Sequence, residues 1–256
     1  MDRFHLFDLS GKTALITGAG RGIGFALAGG LAEAGAKIIL NGRDSAEVER
    51  AVETLEKQGH DVTALLFDVS DDRAVSGAID GYEKQTGSVD IVINNAGMQH
   101  RSSLVDFEPE MFDRVLATNT QGVFHVARAA ARHMIKRKKG KIINIASIMS
   151  KMARHHVGAY VTSKAAVAGL TRAMTSEWAE YGINCNAIGP GYIATELTQA
   201  LFSDQSFSSW LTDNTPAGRW GQVQDLIGTA IYLSAPASDF VYGQIIYVDG
   251  GMTTTV

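Results

Sequence analysis

The segment TALITGAGRGIG, residues 13–24, decides the fold. A short apolar run leads directly into a glycine-rich turn, TGAGRGIG (17–24), and helical apolar spacing follows from Ile23 to Ala34. The glycines are spaced as Gly18-x-x-x-Gly22-x-Gly24. Glycines alone are weak evidence, because turns collect them for ordinary reasons. Between a first strand and a helix, however, they let the backbone approach a pyrophosphate at the helix N-terminus, so we predict a dinucleotide site.

The rest of the chain repeats the alternation of strand and helix. The predicted strands are the apolar runs 13–17, 37–41, 63–67, 90–94, 141–146, 183–188 and 244–248. The predicted helices are 23–34, 45–58, 72–86, 110–137, 160–181 and 224–233. This order predicts an α/β fold, a Rossmann-like, doubly wound, seven-stranded parallel sheet with helices on both faces. No linker or repeat interrupts it, so residues 1–256 form one predicted domain.

Two stretches are less regular. Residues 189–221 are rich in Gly, Ser and Thr, and we expect them to form a partly helical lid over a site. The basic run KRKKG (136–140) is interpreted as the C-terminal end of the fifth helix, closed by a glycine cap.

Composition excludes several functions. The 256 residues are 45% hydrophobic and carry a net charge of −4, which argues against a nucleic-acid or anionic-membrane partner. The one cysteine, Cys185, cannot form an intramolecular disulfide, and neither a leader peptide nor an apolar membrane span is present, so a cytoplasmic location is expected. The adjacent His155 and His156 have no third ligand at metal spacing, and no metal site is predicted.

Tyr160 and Lys164, in YVTSKAAVAGL (160–170), are four residues apart and share one helix face. Such a pair is usually a half-buried ring and a solvated charge. A phenol with a pKa near 10 is a poor base at neutral pH, however, and a neighbouring ammonium, together with an oxidised nicotinamide, favours the phenolate. The pair therefore suits proton transfer during hydride transfer between an alcohol and a nicotinamide.

Six motifs together resemble the short-chain dehydrogenase/reductase family across the whole chain. They are the TGxxxGxG turn, NNAG (94–97), Asn119, Ser147, the Tyr160/Lys164 pair and Pro190-Gly191. The resemblance implies an oxidoreductase that interconverts a secondary alcohol and a ketone, with Asn119, Ser147, Tyr160 and Lys164 as its catalytic residues. It also implies a homotetramer.

The resemblance also implies a set of cofactor contacts. They are Gly18, Gly20, Arg21, Gly22, Ile23, Gly24, Gly42, Arg43, Asp68, Val69, Asn95, Ala96, Gly97, Tyr160, Lys164, Pro190, Gly191, Ile193 and Thr195. Gly42 stands where an acidic residue would bind the ribose hydroxyl of NAD, and Arg43 follows it. We therefore predict NADP, with NAD possible. Asp44 either caps the next helix or turns inward and repels the phosphate.

Three stretches, 94–101, 209–221 and 238–252, further resemble the branch of this family that acts on gluconate and 5-ketogluconate. The predicted substrate contacts are Gln99, His100, Arg101, Ser147, Met149, Tyr160, Tyr192 and Trp210. Arg101 either grips a carboxylate or is a solvated charge.

The chain departs from that branch at Met149, Lys151, Asp213 and Asn214, which could redirect specificity to another polyol or keto-sugar. Two alternatives stay open: a 3-oxoacyl-thioester reductase, which shares every motif, and a dinucleotide sensor without turnover.

Overall fold

The computed structural model describes residues 5–254 and contains one seven-stranded parallel sheet in the order β3-β2-β1-β4-β5-β6-β7. The strands are β1 (Thr13–Ile16), β2 (Lys37–Leu40), β3 (Val62–Ala64), β4 (Ile91–Asn94), β5 (Gly140–Ile145), β6 (Ile183–Pro190) and β7 (Ile245–Val248). The main helices are α1 (Gly22–Glu33), α2 (Ser45–Lys57), α3 (Asp72–Gln85), α4 (Pro109–Leu116), α5 (Gly122–Arg137), α6 (Gly158–Trp178), α7 (Gln199–Phe202), α8 (Gln205–Asp213) and α9 (Ile227–Ser234). The predicted fold class is confirmed.

Two apolar cores lie on opposite faces of the sheet. Side chains alternate along each strand, so in β2 Ile38 and Leu40 pack into one core and Ile39 into the other. Helices α1, α2 and α9 cover the first face, and α3, α5 and α6 cover the second. The strand order reverses at β1, which pairs with β2 on one side and β4 on the other, and this leaves a crevice at its carboxyl end.

The predicted helix 110–137 is wrong as a single α-helix. The structure divides it into α4, a π-helical turn at Ala117–Gln121, and α5. Asn119, at the centre of the turn, is completely buried and bonds to groups outside its own helix. The helix therefore widens by one residue where this side chain turns inward.

Three further elements differ in detail. Strand β3 ends at Ala64 rather than at residue 67, because the amide of Asn41 bonds to the carbonyls of Leu65 and Phe67 and replaces the strand ladder there. Helix α5 is closed by Lys138, which adopts the left-handed conformation at φ 53°, and not by the expected glycine. The predicted helix 224–233 opens as a 3₁₀ turn at Val223–Leu226.

The segment 189–221 completes β6 and then forms a 3₁₀ turn at Glu196–Thr198, α7 and α8. We call residues 191–221 the lid segment. Within residues 5–254, no helix combines the length and apolar character that a bilayer crossing requires.

The contact between α1 and α9 gives a test of this packing. A Cβ on the buried Gly30 would overlap the side chain of Ile227, whereas a Cβ on the neighbouring Gly29 would lie 3.6 Å from Leu55, an ordinary contact. We expect Gly30→Ala to lower the free energy of unfolding by roughly 1–3 kcal/mol. Gly29→Ala, the matched control, should raise it by about 0.5–1 kcal/mol through helix propensity. Urea denaturation measures both, and equal effects at the two positions would contradict the packing described.

Candidate active site

The ends of β1 and β4 are locked together around the glycine turn. Gly18 has φ +60°, and a Cβ there would lie 2.8 Å from the Cα of Ala96. The amide of Asn95 donates to the carbonyls of Thr17 and Gly18, both at 2.9 Å. Asn95, a predicted cofactor contact, therefore stabilises the conformation of the glycine turn through its side chain.

The N-terminus of α1 can receive an anion. Its N-cap, Arg21, is extended and makes no side-chain capping bond, so the Arg21 side chain leaves the first-turn N–H groups available. A Cβ on Gly22, at φ +58°, would meet no atom within 4 Å, so the space above the turn is open. These features fit the pyrophosphate of a dinucleotide.

Residues 42–44 follow β2, where the adenosine ribose of the cofactor is predicted to bind. The carboxylate of Asp44 accepts from the N–H of Glu47 at 3.1 Å, so Asp44 is the N-cap of α2 and does not turn inward. Arg43 is exposed, and its Nη1 lies 3.4 Å from Oδ2 of Asp68. A Cβ on Gly42 would lie 2.6 Å from Cγ2 of the buried Val48, so a side chain at position 42 requires the Val48 side chain to shift.

The carboxylate of Asp68 accepts hydrogen bonds from the N–H and the hydroxyl of Ser70 and from Arg43. Burial acts to raise its pKa, but hydrogen bonds from Ser70 and the charge of Arg43 outweigh this effect and lower it. Val69, the next predicted contact, is buried against Gly122.

Arg21 connects the glycine turn to the lid segment. Its Nη1 donates to Oε2 of Glu196 at 2.6 Å, and its Nε lies 3.4 Å from Oε2 of Glu47. Sequence reasoning named Arg21 and Thr195 but missed Glu196, because an acidic residue in an irregular segment has no distinguishing pattern.

Tyr160 and Lys164 face the same side of α6, as their spacing predicts. The Nζ of Lys164 lies 5.6 Å from the centre of the Tyr160 ring and donates to the carbonyl of Ile145, the last residue of β5, at 2.6 Å. Ser147 follows two residues later, and its hydroxyl caps a 3₁₀ turn at Ile148–Ser150 by accepting from the N–H of Met149 at 3.1 Å. The structure thus brings the serine, the phenol and the ammonium together at the carboxyl end of β5.

Asn119 supports this group from the π-helical turn between α4 and α5. Its side-chain oxygen accepts from the N–H of Met98 at 2.8 Å, and its nitrogen donates to the carbonyl of Met98 and to the hydroxyl of Ser163. These hydrogen bonds join the loop after β4 to α6, because Ser163 lies between Tyr160 and Lys164 on that helix.

Burial dominates the electrostatics of the pair. It lowers the pKa of the Lys164 ammonium from 10.5 to about 8. Burial also raises the pKa of the Tyr160 phenol above its ordinary value, while a hydrogen bond with Ser147 acts in the opposite direction. Activation of the phenol by the ammonium together with an oxidised nicotinamide stays a prediction.

A cavity of ≈ 120 Å³ opens beside Ser147 and Tyr160. It is lined by six of the predicted substrate contacts and five of the other predicted cofactor contacts: Gln99, Arg101, Ser147, Met149, Tyr160 and Tyr192, with Ile23, Pro190, Gly191, Ile193 and Thr195. It is also lined by Arg154 and Leu197, which sequence reasoning missed.

Two predicted substrate contacts do not line the cavity. His100 is exposed and packs edge-on against Phe107, with ring centres 5.5 Å apart. Trp210 is 49% exposed and packs against Phe207 on α8. Residues 5–254 contain no group of three or more His, Cys, Asp or Glu side chains arranged to hold a metal ion.

Comparison with known proteins agrees with this geometry. A family model described as enoyl-(acyl carrier protein) reductase matches residues 18–253. The chain belongs to the short-chain dehydrogenase/reductase family and is an NAD(P)-dependent oxidoreductase that acts on a CH–OH group.

Three relatives are similar over essentially their full lengths. The chain is 46% identical to a gluconate 5-dehydrogenase of Gluconobacter oxydans over 256 residues, all of both chains. It is 45% identical to a 5-keto-D-gluconate 5-reductase of Escherichia coli, covering 98% of this chain and 99% of the relative. The crystal structure of a gluconate 5-dehydrogenase from Burkholderia cenocepacia in complex with NADP and tartrate is 49% identical, covers 99% of each chain and superposes with a TM-score of 0.97.

The lowered pKa of Lys164 predicts a pH-dependent stability. Between about pH 8 and the unfolded value near 10.4, the unfolded chain binds one proton more at this residue than the folded chain. Stability should therefore rise with pH in this window. We expect the free energy of unfolding of the wild type, minus that of Lys164→Met, to increase by roughly 1–3 kcal/mol between pH 7.5 and 10.5. Denaturation of the cofactor-free proteins measures this difference, and parallel pH curves would contradict the assignment.

Proposed function

We propose that this chain is an NADP-dependent oxidoreductase that interconverts a secondary alcohol and a ketone on a sugar acid such as D-gluconate and 5-keto-D-gluconate. One observation carries the proposal. The cavity beside Ser147 and Tyr160 is lined by two arginines, Arg101 and Arg154, for which residues 5–254 offer no carboxylate partner. An acidic substrate supplies that partner. The full-length similarity to gluconate 5-dehydrogenases supports the same conclusion.

In this proposal the bound nicotinamide supplies or accepts the hydride, and the chain handles the proton and the oxygen. Tyr160 gives a proton to the carbonyl oxygen, or takes it from the alcohol. Ser147 donates a hydrogen bond to the same oxygen and stabilises its charge. Lys164 contacts the cofactor ribose and places a positive charge near the phenol, and Asn119 maintains the turn that positions α6. The other predicted substrate contacts, Gln99, Met149 and Tyr192, line the walls.

The preference for NADP follows from the end of β2. Gly42 carries no carboxylate that could repel a 2′-phosphate, and the exposed Arg43 is free to move from Asp68 towards one. Relatives solved with NADP support this choice. We also propose that the protein is a cytoplasmic homotetramer, in line with its one buried cysteine and its family resemblance.

A substrate panel tests the proposal. NADPH oxidation is followed with 5-keto-D-gluconate, L-sorbose and an acetoacetyl thioester, and NADP⁺ reduction with D-gluconate and D-glucitol. The sugar acids should give the highest kcat/KM. Preference for the thioester would favour an acyl-thioester reductase, the activity nearest to the description of the family model. Absence of turnover with every compound would instead favour a dinucleotide sensor.

Tyr160→Phe tests the proton donor. This variant removes the hydroxyl and keeps the ring, so turnover should fall at least about 10²-fold while NADPH affinity changes little. Tyr181→Phe, in the 3₁₀ turn that follows α6, is the control. Steady-state kinetics and a fluorescence titration of NADPH separate the two effects, and near-normal turnover of Tyr160→Phe would exclude the assigned role.

Arg43→Ala tests the cofactor preference. Loss of a charge-assisted contact worth about 1.5–3 kcal/mol should weaken NADPH binding about 10- to 100-fold and leave NADH binding nearly unchanged. Arg50→Ala is the matched control, because Arg50 is an exposed arginine on α2 whose side chain donates to the carbonyl of Ala46 in its own helix and pairs with no carboxylate of residues 5–254. If the wild type binds NADH as tightly as NADPH, the preference for NADP is wrong.

A further inference from the structure

Arg154 occupies an unusual position in the cavity wall. It lies between the 3₁₀ turn after β5 and the start of α6, and it lines the same cavity as Ser147 and Tyr160. Its side chain is half-buried, whereas Arg101 on the facing loop is exposed. A charge-assisted hydrogen bond is stronger where water is partly excluded, so of the two arginines Arg154 is better placed to bind a charged group tightly.

The guanidinium of Arg154 is held by an aromatic face. Its central carbon lies 4.3 Å from the centre of the Phe207 ring, which belongs to α8 of the lid segment. Stacking of this kind uses the face of the guanidinium and leaves the five N–H donors in its plane. No residue between 5 and 254 accepts a hydrogen bond from these donors or forms an ion pair with them. A positioned guanidinium with free donors matches the bidentate geometry of a carboxylate.

Apart from Arg101, the arginines near the site have carboxylate partners among residues 5–254. Arg21 pairs with Glu196 and Glu47, Arg43 approaches Asp68, and Arg219 forms a two-point contact with Asp225. Arg154 therefore differs from them in its chemistry as well as in its location, because its charge is left for a ligand.

We infer that Arg154 is the specificity-determining residue for acidic substrates, binding their carboxylate with its planar donors while Phe207 fixes its orientation. The inference rests on the proposed function and adds to it the residue that selects acids over neutral sugars. It also connects substrate to the lid segment, because the group that binds the acid is stacked on α8.

The first test measures binding without turnover. Tartrate, a small dicarboxylate, is titrated against the NADP⁺-loaded protein, and the fluorescence of Trp210 and Trp220, which both pack on Phe207, reports binding. Arg154→Met should weaken tartrate binding about 10- to 100-fold with unchanged NADP⁺ affinity. Arg154→Lys should recover only part of the tartrate affinity, because an ammonium lacks the planar pair of N–H donors that binds both oxygens of a carboxylate. Lys151→Met is the matched control, because Lys151 is a nearby exposed cation stacked on Tyr247 at 4.4 Å that does not line the cavity.

The second test compares an acid with its neutral counterpart. For Arg154→Met, the KM for 5-keto-D-gluconate should rise about 10-fold or more with kcat changed only a few-fold, while the kinetics with L-sorbose should be nearly unaffected. Phe207→Leu should raise the tartrate Kd about 3- to 10-fold, and Phe207→Tyr, which keeps the ring, should not.

Equal losses for acid and neutral substrates, or tartrate binding indifferent to Arg154→Met, would overturn the inference. If the wild type reduced no sugar acid, the proposed function would fail, while the tartrate titration would still decide whether Arg154 binds a carboxylate.

Discussion

The buried ammonium of Lys164 is the constraint on which the site depends. Burying a charge without a carboxylate partner is unfavourable, and the fold offers this one the carbonyl of Ile145 as its hydrogen-bond acceptor. That bond joins the middle of the sheet to α6 and fixes the helix so that Tyr160, one turn earlier, faces the cavity. The lowered pKa of Lys164 reflects the same unfavourable burial. We interpret the burial as stability given up for chemistry, since a cation beside the phenol is useful only when substrate and cofactor are bound.

The lid segment contacts both ends of the crevice. At one end Glu196 pairs with Arg21 of the glycine turn, and at the other Phe207 stacks on Arg154, which lines the cavity with Ser147 and Tyr160. Both contacts involve a cation that a ligand anion can also bind, a phosphate in the first case and a carboxylate in the second. Ligands at the two positions would therefore compete with, or add to, the contacts that already hold residues 191–221. Phe207 also packs against Trp220, with ring centres 6.1 Å apart.

Sequence was sufficient for the features that depend on side-chain pattern. The strands were predictable because they form short, largely apolar runs between helical segments, and the Tyr160/Lys164 pair because helical periodicity puts both on one face. The π-helical turn at Asn119 was not predictable, because it adds one residue to a helical turn without altering the apolar pattern around it. Arg154 was missed for a different reason. Arg154 is positioned by its contact with Phe207, which is 53 residues further along the chain in an irregular segment. No local sequence pattern indicates that these two residues meet.

The central claim is that this site passes a hydride between a nicotinamide and a carbon of a sugar acid, with Tyr160 handling the proton. Isotope transfer tests it most directly. The enzyme is incubated with 5-keto-D-gluconate and NADPH carrying deuterium at C4, in separate samples for each face of the ring, and the product is analysed by NMR. The account predicts deuterium at C5 of the product from one labelled face only, and loss of the transfer in Tyr160→Phe. Absence of deuterium from the carbon skeleton with both labelled cofactors, although both bind, would contradict it.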